Sequence, residues 1–196
     1  MAADTLAEFR IRVRPSPGSN DHEVCLLADG ANLIEQFEKG MMGLDPADLL
    51  TESCALRPTS LPHVALIARC GCGVIGCGRI EVTIHKDGAR VLWTAIDSSR
   101  NVQFNAAQYE AEIERAIHDH SWETPERTAG RLISLAVDRA SLARRGFEFS
   151  WASGRCFEGM MTVSLMLTPP DRTKFLFANH GTEKTSIASS VSSRTF

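Results

Sequence analysis

The sequence predicts an α+β fold, in which a mainly antiparallel sheet is flanked by two helices. Short runs of alternating apolar and polar residues recur in the first hundred residues and again near residue 150, which is typical of half-buried strands. Two longer runs, over residues 104–119 and 125–145, repeat apolar residues at helical spacing. A chain of 196 residues, 43% hydrophobic and 23% charged, is long enough to bury one core.

The strands are predicted from alternation and from turn residues. In the best-marked pair, residues 79–85 alternate, Asp87-Gly88 supplies a turn, and the returning strand contains Trp93. Together the patterns predict strands over residues 9–13, 23–28, 63–69, 79–85, 91–96, 147–151 and 160–168.

The helices are predicted from capping residues as well as from periodicity. Thr124 is favourable at an N-cap, Pro125 at the first helical position, and Gly146 just beyond the C-terminal end, so the second long helix is well delimited. A short helix is predicted over residues 31–39, followed by one helical turn capped by Asp45.

One domain is predicted over residues 1–170. From residue 171 onward the chain is richer in Ser and Thr and poorer in core-forming residues. Residues 171–196 are therefore predicted to be a C-terminal extension that is disordered in its last part, from residue 186.

Composition also limits the cellular compartments and the classes of partner that we expect for this protein. A net charge of −3 and a pI of about 6.1 provide no basic field for a phosphate backbone, so no nucleic-acid partner is expected. No apolar run approaches the roughly 20 residues that cross a bilayer, and the N-terminus lacks the pattern of a signal peptide. We therefore expect a cytoplasmic protein without a membrane partner, whose six cysteines do not form a disulfide framework.

The least ordinary stretch is residues 69–78, which hold Cys70, Cys72 and Cys77 together with four glycines. The glycines allow the backbone to turn back on itself, so that three thiolates can converge on one zinc ion. A closed structural site needs four ligands. The fourth is left open between a water molecule and the following side chains: His63, His85, His120 and Cys156.

Two other interpretations of this stretch stay open. One is a tight glycine turn whose cysteines are buried and inert. The other is dinucleotide binding, because Gly71, Gly73 and Gly76 follow an apolar strand and Asp97 lies about 20 residues further on. A dinucleotide site requires a helix directly after the glycines, whereas the alternation over residues 79–85 predicts a strand.

A weaker candidate is His118-Asp119-His120 at the end of the first long helix. With Glu123, which follows shortly after, the segment offers two imidazoles and two carboxylates that could serve a metal or a general base. Side chains at positions i and i+2 do not share a helix face, which favours a solvated helix end.

The chain resembles a family of uncharacterised bacterial proteins that have a Cys-x-Cys-Gly…Gly-Cys turn ahead of a β-hairpin ending in Trp. The resemblance covers residues 28–135 and implies the hairpin; it transfers no catalytic residue. It rests on the following segments: Asp29-Gly30, Leu33, Gly43-Leu44-Asp45-Pro46-Ala47-Asp48-Leu49-Leu50, Arg69-Cys70-Gly71-Cys72-Gly73, Gly76-Cys77-Gly78, Val91-Leu92-Trp93, Phe104, Tyr109-Glu110, Ser121-Trp122-Glu123 and Arg127-Thr128.

The sequence thus favours a non-enzymatic binding or accessory protein, with an unidentified protein or small molecule as its partner. Its Cys-Gly turn, with Cys70, Cys72 and Cys77, is the candidate zinc site. The alternative is an enzyme, with either an open zinc site at these cysteines or a dinucleotide bound on Gly71, Gly73 and Gly76.

Overall fold

The computed structural model describes residues 6–16, 22–72, 77–96, 100–157, 160–167, 174–179 and 185–191. The chain divides into two compact units, Met1–Trp122 and Glu123–Phe196. The single domain over residues 1–170 and the extension over residues 171–196 stay predictions.

The first unit contains most of the strands. Its elements in chain order are β1 (Phe9–Pro15), β2 (His22–Ala28), β3 (Ala31–Asn32), α1 (Leu33–Phe37), β4 (Met41–Gly43), α2 (Pro46–Leu49), β5 (His63–Cys70), β6 (Arg79–Asp87), β7 (Arg90–Ala95), β8 (Asn101–Asn105) and α3 (Ala106–His118). They form a three-stranded sheet in the order β1-β2-β3 and a five-stranded sheet in the order β4-β5-β6-β7-β8.

The second unit combines two helices with one sheet. Its elements are α4 (Pro125–Ala136), α5 (Arg139–Arg144), β9 (Phe147–Phe157), β10 (Met160–Leu167), β11 (Lys174–Asn179) and β12 (Thr185–Val191). The sheet order is β12-β11-β10-β9. The Ser- and Thr-rich composition did not predict β11 and β12, and residues 192–196 of the predicted disordered end lie outside the described residues.

The α+β fold with antiparallel sheets is confirmed, because every pair of strands in the three sheets is antiparallel. The placement of two helices against one sheet is not confirmed: α3 packs on β1, β7 and β8, whereas α4 packs on β9 and β10. None of the helices in the described ranges has the length and apolar character needed to cross a bilayer.

Capping explains two of the differences between the observed helices and the predicted ones. The single helix over residues 125–145 is wrong, because Asp138 accepts a hydrogen bond from Ser141 N (2.9 Å) and so begins a new helix, α5. The first long helix begins at Ala106 because Asn105 caps it through Gln108 N (3.1 Å). The residues before this cap are β8.

The predicted hairpin is confirmed as β6 and β7. Asp87 pairs with Arg90 across a two-residue connection, in which Gly88 adopts a φ of +56° that favours glycine. Alternate residues of both strands are buried, and Trp93 is among the fully buried ones. This hairpin lies at the centre of the five-stranded sheet. The cysteine turn joins β5 to β6 at one end of the same sheet.

Four aromatic residues form the centre of the first unit's core. Phe9, Trp93, Phe104 and Tyr109 are fully buried, with ring centroids 4.4 to 6.1 Å apart. The Tyr109 hydroxyl accepts a hydrogen bond from Trp93 Nε1 (3.0 Å) and donates one to the Leu56 carbonyl (2.8 Å). One side chain thus connects α3, β7 and the loop before β5.

Replacing Tyr109 by Phe leaves the Trp93 indole N–H and the Leu56 carbonyl without this partner. Because both groups are buried, we expect Tyr109→Phe to lower the free energy of unfolding by about 1–3 kcal/mol. Urea denaturation followed by Trp fluorescence measures the loss. A midpoint equal to that of the wild-type protein would contradict this account of the core.

The buried carboxylate of Glu112 fastens α3 to β1. Glu112 accepts hydrogen bonds from Ile11 N (2.7 Å) and from the Arg115 guanidinium (2.8 and 2.9 Å), and it lies 3.4 Å from Arg10 Nη1. Burial raises the pKa of Glu112, but the hydrogen bonds from Arg115 and Ile11 and the charges of Arg115 and Arg10 together outweigh it, so its pKa is lowered.

A carboxylate with a lowered folded-state pKa stabilises the fold above its unfolded pKa of about 4.3. That contribution is lost as the pH falls through the folded-state pKa. We expect Glu112→Gln to cost about 1–2 kcal/mol at pH 7, and the difference from wild type to shrink below about pH 4. Urea denaturation at several pH values measures it.

The control is Glu110→Gln on the same helix, where the carboxylate pairs with Lys86 at the surface. This variant should unfold close to the wild-type midpoint at every pH, since exposed ion pairs contribute little. Parallel pH profiles for the wild-type protein and Glu112→Gln would refute the role of the Glu112 charge.

Candidate metal centre

The cysteine turn connects β5 to β6 at one end of the five-stranded sheet. Cys70 is the last residue of β5, and its N–H donates to the carbonyl oxygen of Gly78 (2.8 Å), directly before β6 begins. This hydrogen bond closes the base of the turn and keeps Cys77 next to Cys70. The turn includes residues 73–76, which lie outside the described part of the chain.

The three thiols of the turn converge, as their spacing indicated. The Sγ atoms of Cys70, Cys72 and Cys77 all lie within 4.8 Å of one another. Cys70 is half-buried, whereas Cys72 and Cys77 are exposed. The interpretation of the turn as a set of buried, inert cysteines is therefore wrong for Cys72 and Cys77.

The neighbouring sulfur atoms change the acidity of Cys77. Hydrogen bonds with the Cys72 and Cys70 thiols, followed by the charges that those two groups can carry, raise the pKa of Cys77 to about 11. Cys77 therefore keeps its proton at neutral pH when the turn holds no cation. Metal ligands must be deprotonated, so a cation held by Cys77 would have to displace this proton.

The cysteines outside the turn have a different character. Cys25 and Cys54 are buried, and burial raises the pKa of each thiol. Buried thiols of raised pKa behave as small hydrophobic groups rather than as reactive ones or ligands. The side chain of Cys156, a candidate fourth ligand, lies outside the described residues.

The candidate histidines do not join the group. His63 begins β5 and contacts the Ala55 carbonyl through Nε2 (2.9 Å); the seven residues to Cys70 span about 23 Å of strand. His85 lies six residues beyond the start of β6, about 20 Å along it. Among the described residues, the group of side chains close enough to share a metal ion comprises the three cysteines and does not include His85 or His120.

The short strand β4 lies next to the cysteines, and sequence analysis did not find it. Met41 pairs with Cys70, and Gly43 pairs with Ala68. A Cβ atom on Gly43 would lie 2.0 Å from the Val24 carbonyl oxygen, so only glycine allows β4 to approach β2 this closely. Three residues are too few to show an alternating pattern. The pairing partners of β4 are also distant in the chain, so no local turn signals the strand.

Gly43 and Gly71 offer a matched test of this packing. We expect Gly43→Ala to lower the free energy of unfolding by about 1–3 kcal/mol, because its Cβ atom would clash with the backbone carbonyl of Val24. Gly71→Ala places its Cβ 3.5 Å from Met42 Sδ, an ordinary contact, and should be tolerated. Urea denaturation compares the two variants; equal losses would contradict the close approach at Gly43.

The dinucleotide interpretation lacks the element it requires. β6 occupies residues 79–87, where a helix would have to present its N-terminal amides to a pyrophosphate. Of the three glycines concerned, Gly71 is described, and Gly73 and Gly76 lie outside the described residues, as does Asp97.

The His118-Asp119-His120 segment terminates α3, as the solvated helix end would. His118 Nδ1 lies 2.8 Å from the Glu114 carbonyl oxygen, and Asp119 accepts hydrogen bonds from Ser121 N (3.0 Å) and Ser121 Oγ (2.6 Å). The hydrogen bonds from Ser121 lower the pKa of Asp119. These contacts explain the segment as a turn at the helix end.

A cavity of about 590 Å³ in the first unit is lined by charged side chains of β1 and α3. Arg10 pairs with Glu8 and Glu112, and Arg115 pairs with Glu112 and Asp119. Because these charges compensate one another, this network serves to dock α3 on β1. The cysteine turn is therefore the better candidate for a functional site.

Comparisons with models of known protein families, with curated proteins and with solved structures find no match to this chain.

Proposed function

We propose that this chain is a non-enzymatic binding or accessory protein whose cysteine turn holds a zinc ion through Cys70, Cys72 and Cys77. The observation that carries the proposal is the mutual separation of the three Sγ atoms, all within 4.8 Å. Zinc binds thiolate sulfur at about 2.3 Å in tetrahedral geometry, which separates two such ligands by about 3.8 Å. Small side-chain movements therefore suffice to place all three sulfurs around one ion.

The composition of the group supports binding rather than catalysis. A catalytic zinc site keeps an open position and usually has a general base beside it. In the part of the chain that the structure describes, the cysteine group includes no histidine or carboxylate. An enzyme with an open zinc site at these cysteines is the second candidate, and the observation in its favour is the exposure of Cys72 and Cys77.

The proposal also includes a reducing compartment. Oxidation of Cys72 and Cys77 to a disulfide would remove two of the three ligands. Thiols are kept reduced in the cytoplasm, so we place the protein there. Membership of the bacterial family with the Cys-x-Cys-Gly…Gly-Cys turn, and an unidentified protein or small-molecule partner, are further parts of the proposal.

The test is metal analysis of the purified, untagged protein after incubation with Zn²⁺ and gel filtration. We expect about one zinc per chain in the wild-type protein and a large loss in Cys72→Ser, because two thiolates do not hold zinc as three do. Cys54→Ala removes a thiol outside the turn and serves as control; it should retain the zinc. Wild-type protein without zinc would overturn the proposal.

The stability of Cys72→Ser separates the two kinds of site. In a closed structural site the binding free energy is folding free energy, so the variant should unfold at a much lower urea concentration. In an open site the variant should keep its fold and lose only the metal. We expect the first outcome, because the proposed function gives the ion a structural role in the turn. The second outcome would favour the enzyme with an open site.

A further inference from the structure

The sulfur atom of Met41 lies near the base of the cysteine turn, against Gly78. Met41 stands directly opposite Cys70 in the antiparallel β4–β5 ladder, and residues that oppose each other in this way project from the same face. A Cβ atom on Gly78 would lie 3.6 Å from Cys70 Cβ and 3.9 Å from Met41 Sδ. The thioether of Met41 and the side chain of Cys70 thus flank the same glycine at the base of the turn.

The side chain of Met41 has the freedom that a ligand needs. Met41 is half-buried, whereas its neighbour Met42 is buried. Successive residues of a strand project to opposite faces, so Met42 does not share the face of Cys70. Methionine is unbranched with three rotatable side-chain bonds, and the missing side chain at Gly78 leaves room for the Met41 sulfur to approach the cysteines.

We propose that this site takes Cu(I), with the Met41 thioether as a ligand in addition to Cys70, Cys72 and Cys77. The inference rests on the metal site of the proposed function and extends it to a second ion. Thiolate and thioether sulfur are soft ligands, and this combination selects Cu(I). Zn²⁺ at the same site uses the three thiolates, since thioether is not among its usual protein ligands.

The donor set of the turn agrees with a soft ion. Histidine and carboxylate groups suit harder cations. Among the described residues, neither kind of group belongs to the cysteine group. Copper enters and leaves as Cu(I), so binding exchanges thiol protons for the ion and involves no change of oxidation state. Two of the thiolates are on exposed residues, where an incoming ligand can reach the ion.

The experiment titrates the full chain with Cu(I) under anaerobic conditions, against bathocuproine disulfonate as the competing chelator. We expect Met41→Leu to bind Cu(I) at least about 10-fold more weakly than the wild-type protein, because a ligand is lost. Its Zn²⁺ affinity, measured with a chromophoric chelator, should be unchanged. Met42→Leu is the matched control and should bind both ions as the wild-type protein does.

A second measurement does not depend on whether Met41→Leu folds. Copper X-ray absorption of the wild-type protein labelled with selenomethionine detects selenium in the coordination shell of the ion. A copper–selenium contact that is present in the wild-type protein and in Met42→Leu supports the proposal. Its absence in the wild-type protein overturns the role of Met41.

The outcomes also separate this inference from the proposed function. Equal Cu(I) affinities of Met41→Leu and the wild-type protein, with zinc binding intact, would overturn the inference and leave the zinc site standing. A wild-type protein that binds neither Zn²⁺ nor Cu(I) would overturn both.

Discussion

The hydrogen bonds of the Tyr109 hydroxyl are the constraint on which the first unit depends. This buried group satisfies Trp93 Nε1 and the Leu56 carbonyl, two polar groups that the core would otherwise leave unpaired. The Tyr109 ring stacks on Phe9, with a centroid separation of 4.4 Å, and so also connects β1. Burial raises the pKa of Tyr109 well above its ordinary value, so the hydroxyl stays protonated and keeps its donor. The five-stranded sheet is held in one register by a core that α3 completes.

The geometry of the cysteine turn follows from this register. Once β5 and β6 pair with Arg69 opposite Arg79, Cys70 and Gly78 must meet at the base of the turn, and Cys77 lies beside them. The pairing of β4 brings Met41 opposite Cys70. The described thiols are therefore of two kinds: those of Cys25 and Cys54 are packed into the fold, and those of the turn are gathered at its surface. The strand pairing thus fixes Cys70 and Met41, whereas Cys72 and Cys77 lie on the turn itself.

Local patterns predicted the parts of this arrangement that are themselves local. The alternation of β6 and β7, the Asp87-Gly88 turn and the spacing of the three cysteines each depend on residues close together in the chain, and the structure contains all of them. The caps Asn105 and Asp138 are also local, but the periodicity of the surrounding residues concealed them. The role of Met41 depends on a pairing between residues 29 positions apart, and three residues of strand carry no pattern. Sequence analysis likewise offered four side chains as further ligands, since distance along the chain does not limit which of them can reach the turn.

The composition of the turn is consistent with a bound ion for an energetic reason. Residues 71–78 include four glycines, and glycine loses more conformational freedom on ordering than any other residue. Ordering costs about 1–2 kcal/mol per residue, so eight residues of this kind are expensive to hold in one conformation by backbone contacts alone. Structural zinc sites contribute about 10–16 kcal/mol of binding free energy, which is comparable with a cost of this size. Cys70 ends the strand before the turn, and Cys77 lies at the other end of the turn, directly before Gly78. An ion bound to both of them and to Cys72 therefore restrains the turn at its two ends. The glycines that make the turn costly to order are also those that let its thiols converge.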